Sequence, residues 1–151
     1  MDERGASEGG RWLEVTEAVR SQLRSWARAA YPREGCGLLI GSRDAEGDRV
    51  VRATMARNVH ASERGDRYEI DPADHLAAWK SADADGLDVV GAWHSHPDHA
   101  AVPSAKDLAE AHGGLSYLIV PVTRQGAGEL RAWRLAAPPS ERRFVEQALR
   151  S

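Results

Sequence analysis

Apolar positions recur at two periods along this chain, and the switches between them mark its elements. "WLEV" (12–15) predicts a short strand, and Thr16 stands at the cap of a helix. Val19, Leu23, Trp26 and Ala30 then recur at helical spacing, which predicts an amphipathic helix over about 16–30 that Pro32 ends. "CGLLIG" is an apolar run between glycines and predicts a buried strand. In "RVVRATMARN", Val51, Ala53 and Met55 alternate with Arg52, Thr54 and Ala56, as in a half-buried strand, and "SRDAEGD" between the two runs predicts a hairpin loop. A polar excursion over 58–67 leads into a short strand at "YEI". Asp71 at the cap, Pro72 at the first helical position and Gly86 beyond the end punctuate a second helix, with Leu76 and Trp79 expected on its buried side. "LDVVGAWHSH" is apolar on both faces, the signature of a central strand. "SAKDLAEAH" predicts a short helix stopped by Gly113-Gly114, and "LSYLIVPV" and "ELRAWRL" two more strands. Ser140 is expected to cap a last helix burying Phe144, Val145, Ala148 and Leu149. This order predicts an α/β fold with a mixed sheet between helices.

At 151 residues the chain has the length of one domain, expected over 11–151 behind a disordered leader at 1–10. A hydrophobic share of 42% suits a packed core. Twenty basic and 23 acidic residues, net charge -3, give no reason to expect nucleic acid or an anionic membrane as partner. The lone Cys36 excludes an intrachain disulfide. The polar opening "MDERGASEGG" lacks the apolar stretch of a signal peptide, and no run is long enough for a membrane span. The expectation is a cytoplasmic protein; oligomeric state is left open.

Chemistry concentrates in "HSHPDHAAVPSAKD", 94–107. On a strand, His94 and His96 point to one face and Ser95 to the other, with the histidine Cα atoms roughly 6.5–7 Å apart. Pro97 ends the strand, and Asp107 falls in the first turn of the following helix. Two imidazole nitrogens and one carboxylate oxygen leave a tetrahedral ion one open position, the catalytic rather than the structural pattern for zinc. The spacing of Ser104 and Asp107 is also that of a helix capping pair, and a His-x-His pair alone is weak. The joint arrangement favours the metal, since two buried histidines without a partner are costly on a central strand. A metal-bound water also needs a base. Glu34, just before "CGLLIG", is the candidate, although a loop glutamate is more often a solvated surface group.

"EGCGLLIG", "HSHP" and "PSAKD" together resemble the JAMM (MPN-plus) metalloprotease family, in its short bacterial and archaeal form. That signature is an upstream glutamate, then H-x-H, seven residues, Ser, two residues and Asp, and Glu34, His94, His96, Ser104 and Asp107 meet every term. The resemblance extends over about 12–135. It implies a cytidine-deaminase-like three-layer sandwich, with one zinc ion per chain held by His94, His96 and Asp107. It further implies Glu34 as the residue that binds and deprotonates the metal water, Ser104 as support for the tetrahedral intermediate, and hydrolysis of peptide or isopeptide bonds. The expected partner is the C-terminal tail of a ubiquitin-like or sulfur-carrier protein.

Two rival readings remain beside it: a catalytically silent scaffold of the same fold, and a zinc amidase acting on a small-molecule conjugate. A scaffold would be expected to have lost ligands that this chain keeps. Absence of the paired-cysteine element separates the chain from the deaminases themselves. Cys36 reads as a small buried residue rather than a nucleophile, and His99 as a surface group rather than a fourth ligand. His60, His75 and His112 have no spacing that links them to the site.

Overall fold

Thr16 caps the first helix as its position predicts, its Oγ1 accepting from the Val19 N–H at 3.4 Å. A computed structural model describes residues 10–60, 68–136 and 141–151. Along it run β1 (Trp12–Glu14), α1 (Glu17–Ala30), β2 (Cys36–Arg43), β3 (Gly47–Ala53), α2 (Pro72–Ala84), β4 (Asp88–Pro97) and α3 (Ala105–Glu110). There follow β5 (Ser116–Thr123), β6 (Gly126–Ala127), β7 (Arg131–Leu135), β8 (Phe144–Gln147) and β9 (Leu149–Arg150). The leader expected at 1–10 lies outside the described residues except for Gly10, as does most of the excursion at 58–67.

The strands form one mixed sheet in the order β8-β7-β5-β4-β2-β3-β1-β9, with β6 paired to β5. β4 is central: it runs antiparallel to β2 and parallel to β5, and every residue after Asp88 is buried. Successive residues of β2 serve opposite faces. Leu39 packs with Val19, Leu23 and Ala27 of α1, whereas Leu38 and Ile40 pack with Ala78 and Ala82 of α2. The sheet therefore carries a helix on each face, a sheet-rich mixed α/β fold.

Four expectations need correction. α2 buries Ala78 and Ala82, while Leu76 and Trp79 are 56% and 55% exposed. Small side chains let this helix lie close on the sheet, so its bulky residues turn outward. In β3 the buried large apolar position is Val50; Val51 and Met55 are exposed, the strand begins at Gly47, and the connecting loop shrinks to 44–46. A register shift between Ile40 and Gly41 of β2 accompanies this phase, which an alternation started at Val51 misses. "YEI" is no strand: Ile70 makes only an isolated bridge to Asn58.

The last helix is absent. Residues 144–150 are extended, and Ser140 lies outside the described residues. β8 pairs with β7 at one edge of the sheet and β9 with β1 at the other. The Leu13 N–H donates to Ala148 O at 3.0 Å between the two pairings. One stretch of chain thus joins both edges, and the unpaired edge groups of β7 and β1 outweigh the helical spacing of Phe144 and Ala148. Near this closure Asp48 is fully buried beneath Arg11, Arg43 and Arg134, at 2.6, 3.3 and 3.4 Å.

Candidate metal centre

His94 and His96 end β4 on one face, 1% and 7% exposed, and the residues between and before them turn the other way. Ser95 Oγ accepts from the Gly35 N–H at 2.8 Å. Trp93 packs in the α1 core and donates its indole N–H to Thr54 O at 2.8 Å. That indole lies across β2 and accounts for "EGCG". A Cβ on Gly37 would collide with Thr54 O and Trp93 Nε1, and one on Gly35 would press on Ala30 Cβ at 3.2 Å. Gly35 faces α1, so Glu34 and Cys36 on either side of it face the histidines. Cys36 is the register partner of His94.

Asp107 completes a triangle. His94 Nε2 and His96 Nε2 are 3.1 Å apart, and Asp107 Oδ2 lies 3.3 Å from the first and 3.2 Å from the second. Donors about 2.0–2.1 Å from a tetrahedral ion stand about 3.3 Å from one another, so the triangle has the dimensions of one face of a zinc coordination tetrahedron. The tautomer of His96 suits this role. Its Nδ1 lies 2.8 Å from Ala100 O, which can only accept; the neutral ring therefore keeps its proton on Nδ1, and it is then the Nε2 lone pair that faces the triangle.

Burial pushes His94 below the ordinary imidazole value, against the pull of Asp107. His96 feels the same burial, but hydrogen bonds to Asp107 and Ala100 carry it above that value. Burial would raise Asp107, yet hydrogen bonds from His94, His96 and the Ser104 N–H hold it well below the usual carboxylate range. An ionised carboxylate beside imidazole lone pairs is a donor set that a divalent cation satisfies.

Capping and metal geometry coexist at Asp107. Its N–H donates to Ser104 Oγ at 3.0 Å, and the same Oδ2 that faces the histidines accepts from the Ser104 N–H at 2.9 Å. Ser104 is exposed and, with its oxygen already accepting, keeps its hydroxyl proton to donate. The intervening loop is tied on several sides. Tyr31 Oη bonds both Asp98 carboxylate oxygens at 3.0 Å, and Trp133 Nε1 donates to Ala101 O at 3.0 Å. His99 on this loop is exposed and stands apart from the triangle.

Glu34 is 7% exposed, not a solvated surface group. Its carbonyl accepts from Asn58 Nδ2 at 3.1 Å, and its charge acts on His96 and Cys36. A cavity of about 290 Å³ adjoins it, lined by Trp26, Ala29, Ala30, Cys36 and Met55 among others. Cys36 is fully buried, its thiol pushed up to about 12 by burial and by the charges of Glu34 and Asp74. That is the state of an inert thiol. Sequence reading missed Asn58, Trp133 and Tyr68, whose ring stacks on His94 with centroids 4.4 Å apart. None has a spacing that ties it to the histidines.

Residues 16–136 match the family model described as prokaryotic homologs of the JAB domain. The chain belongs to the prokaryotic JAB (JAMM) family. Glu34, His94, His96, Ser104 and Asp107 all fall within the matched segment. Among relatives of this JAB chain, the desampylase of Haloferax volcanii is 36% identical over 107 residues, 70% of this chain and 75% of that one. The probable TtuB-protein conjugate cleaving protease of Thermus thermophilus is 34% identical over 107 residues, 71% of this chain and 68% of its own. A solution structure of a Desulfitobacterium hafniense protein shares the fold with TM-score 0.78 and 29% identity, covering 91% of this chain and 90% of that one. No helix among the described residues is long and apolar enough to cross a membrane.

Proposed function

We propose that this JAB-family chain is a zinc-dependent isopeptidase that cleaves after the C-terminal tail of a ubiquitin-like or sulfur-carrier protein in the cytoplasm. The triangle of His94, His96 and Asp107 carries the reading, because its 3.1–3.3 Å edges suit one tetrahedral ion with a position left open. A zinc ion held by His94, His96 and Asp107 would supply a Lewis acid and lower the pKa of a water to about 7. The Glu34 carboxylate would accept a proton from the attacking water and deliver it to the departing amine, which must be protonated to leave. The Ser104 hydroxyl donates to the tetrahedral oxygen, a contact whose removal in such sites costs on the order of 2.7–4 kcal/mol of barrier. His96 is held for its role by Ala100 O, and Asp107 by the cap of α3. The helix-flanked sheet is, in this reading, the cytidine-deaminase-like three-layer sandwich of the family.

Depth supports the substrate class. Glu34, His94 and His96 are each less than 10% exposed, so the scissile carbonyl has to arrive on a slender chain. A Gly-Gly tail is such a chain, and the relatives named for desampylation and for TtuB-conjugate cleavage point the same way. The test compares ubiquitin-like proteins conjugated after Gly-Gly with versions ending in Val-Val, with and without chelator. Chelator-sensitive cleavage of the Gly-Gly conjugate alone is expected. Equal cleavage of both, or hydrolysis only of a small amide, would overturn the tail assignment.

A further inference from the structure

The two histidines are held differently. His96 has its Nδ1 fixed by Ala100 O at 2.8 Å. His94 Nδ1 is buried and has no hydrogen-bond partner among the described residues. Metal-ligating histidines as a rule donate their second ring N–H to a neighbour, which sets the plane and tautomer of the ring. Without that bond the broad χ2 torsion leaves the plane of His94 poorly defined. What lies against the ring instead is Tyr68, nearly parallel at 20° with centroids 4.4 Å apart. His96, on another side, is tilted at 57°.

We propose that Tyr68 is a positioning residue that fixes the plane of His94 by stacking, as a hydrogen bond fixes His96; this rests on the metal-centre reading above. The placement of the residue supports it. Tyr68 is anchored from the same side as Glu34. Asn58 Oδ1 accepts the N–H of Glu69, the next residue, at 2.9 Å, while Asn58 Nδ2 holds Glu34 O at 3.1 Å. One asparagine therefore ties the stacked ring and the candidate base into a single frame.

The full chain is stripped of metal, and zinc affinity is measured by chelator competition for the wild type, Tyr68→Phe and Tyr68→Leu, with metal-free thermal melts beside each. Cobalt(II) absorption reports the ligand geometry. Tyr68→Phe keeps the stack and is expected to bind within about twofold of wild type. Tyr68→Leu keeps bulk but loses the plane and is expected to bind about 10–100-fold more weakly, the usual effect of losing a ligand's support. Wild-type affinity in Tyr68→Leu would overturn the proposal, and so would an equal loss in Tyr68→Phe, which would put the hydroxyl in charge. Failure of the wild type itself to bind zinc would instead remove the metal centre. Should Tyr68→Leu not fold, the His94 ring protons of the metal-free wild type decide the matter. A stacked phenol shifts them upfield, and unshifted protons would overturn the stack.

Discussion

Replacing Asp107 by Asn separates the two roles that meet on one oxygen. The amide can still accept from the Ser104 N–H, as Oδ2 does now at 2.9 Å, but it brings no charge to the histidines 3.2 and 3.3 Å away. Through the helix dipole alone, losing a negative charge from the first turn of α3 costs about 0.3–1 kcal/mol. In a chain of this size that lowers the metal-free melting temperature by roughly 1–4 °C. The effect on metal is larger. A direct ligand should exceed the 10–100-fold typical of its supporting neighbours, so affinity falls by at least about 100-fold. With zinc at about 100 times the wild-type Kd, the ion stabilises the wild type by about 2.7 kcal/mol, a rise of roughly 5–11 °C. At the same zinc concentration Asp107→Asn gains about 0.4 kcal/mol, a rise of roughly 1–2 °C. The assay is a pair of thermal melts per protein, with and without zinc. An equal zinc-induced rise in both would make Asp107 a helix cap and nothing more.

Glu34→Gln is expected to keep the fold and the zinc-dependent rise in melting temperature while losing about 10²–10⁴-fold in hydrolysis, since an amide cannot take the proton; turnover of a Gly-Gly conjugate checks this. Cys36→Ser is expected to hydrolyse within about twofold of wild type, and abolished turnover with a normal melt would demand a thiol mechanism. Because its folded pKa is raised to about 12, the Cys36 thiolate fraction at pH 8 is on the order of 10⁻⁴. Native protein should therefore resist iodoacetamide at pH 8, while denatured protein reacts, as read by mass spectrometry.

Elements whose pattern reflects local burial were legible. β4 is apolar on both faces because both faces are covered, and α1 shows its stripe because Val19, Leu23 and Ala27 meet one core. Elements shaped by distant partners were not. The spacing of Phe144, Val145 and Ala148 suits a helix, yet these residues close the sheet between β7 and β1, about 120 positions apart in the chain. In α2 the rule that large apolar residues go inside failed because the sheet admits only Ala78 and Ala82. The candidate site divides the same way. His94, His96 and Asp107 could be grouped as candidates from their joint arrangement, since a strand end, a turn and a helix start are local geometry. Tyr68 and Asn58 reach the site from a loop between β3 and α2, and nothing in their own neighbourhood points to His94 or Glu34.

The capping box explains why so short a helix can serve the candidate metal centre. α3 has six residues and buries none, so its own packing gives it little reason to form. The box supplies two reciprocal bonds at its start, and the loop before it is tied by Tyr31, Trp133 and His96. Arg142 holds the other end through Ala111 O at 2.6 Å and Leu108 O at 2.9 Å. Each of these bonds restricts where Asp107 can point. The serine that builds the box is thereby set at the rim of the centre, its hydroxyl proton still available. Capping and chemistry are thus not competing accounts of Ser104 and Asp107: the cap is what aims the carboxylate at the histidines and holds the serine beside them.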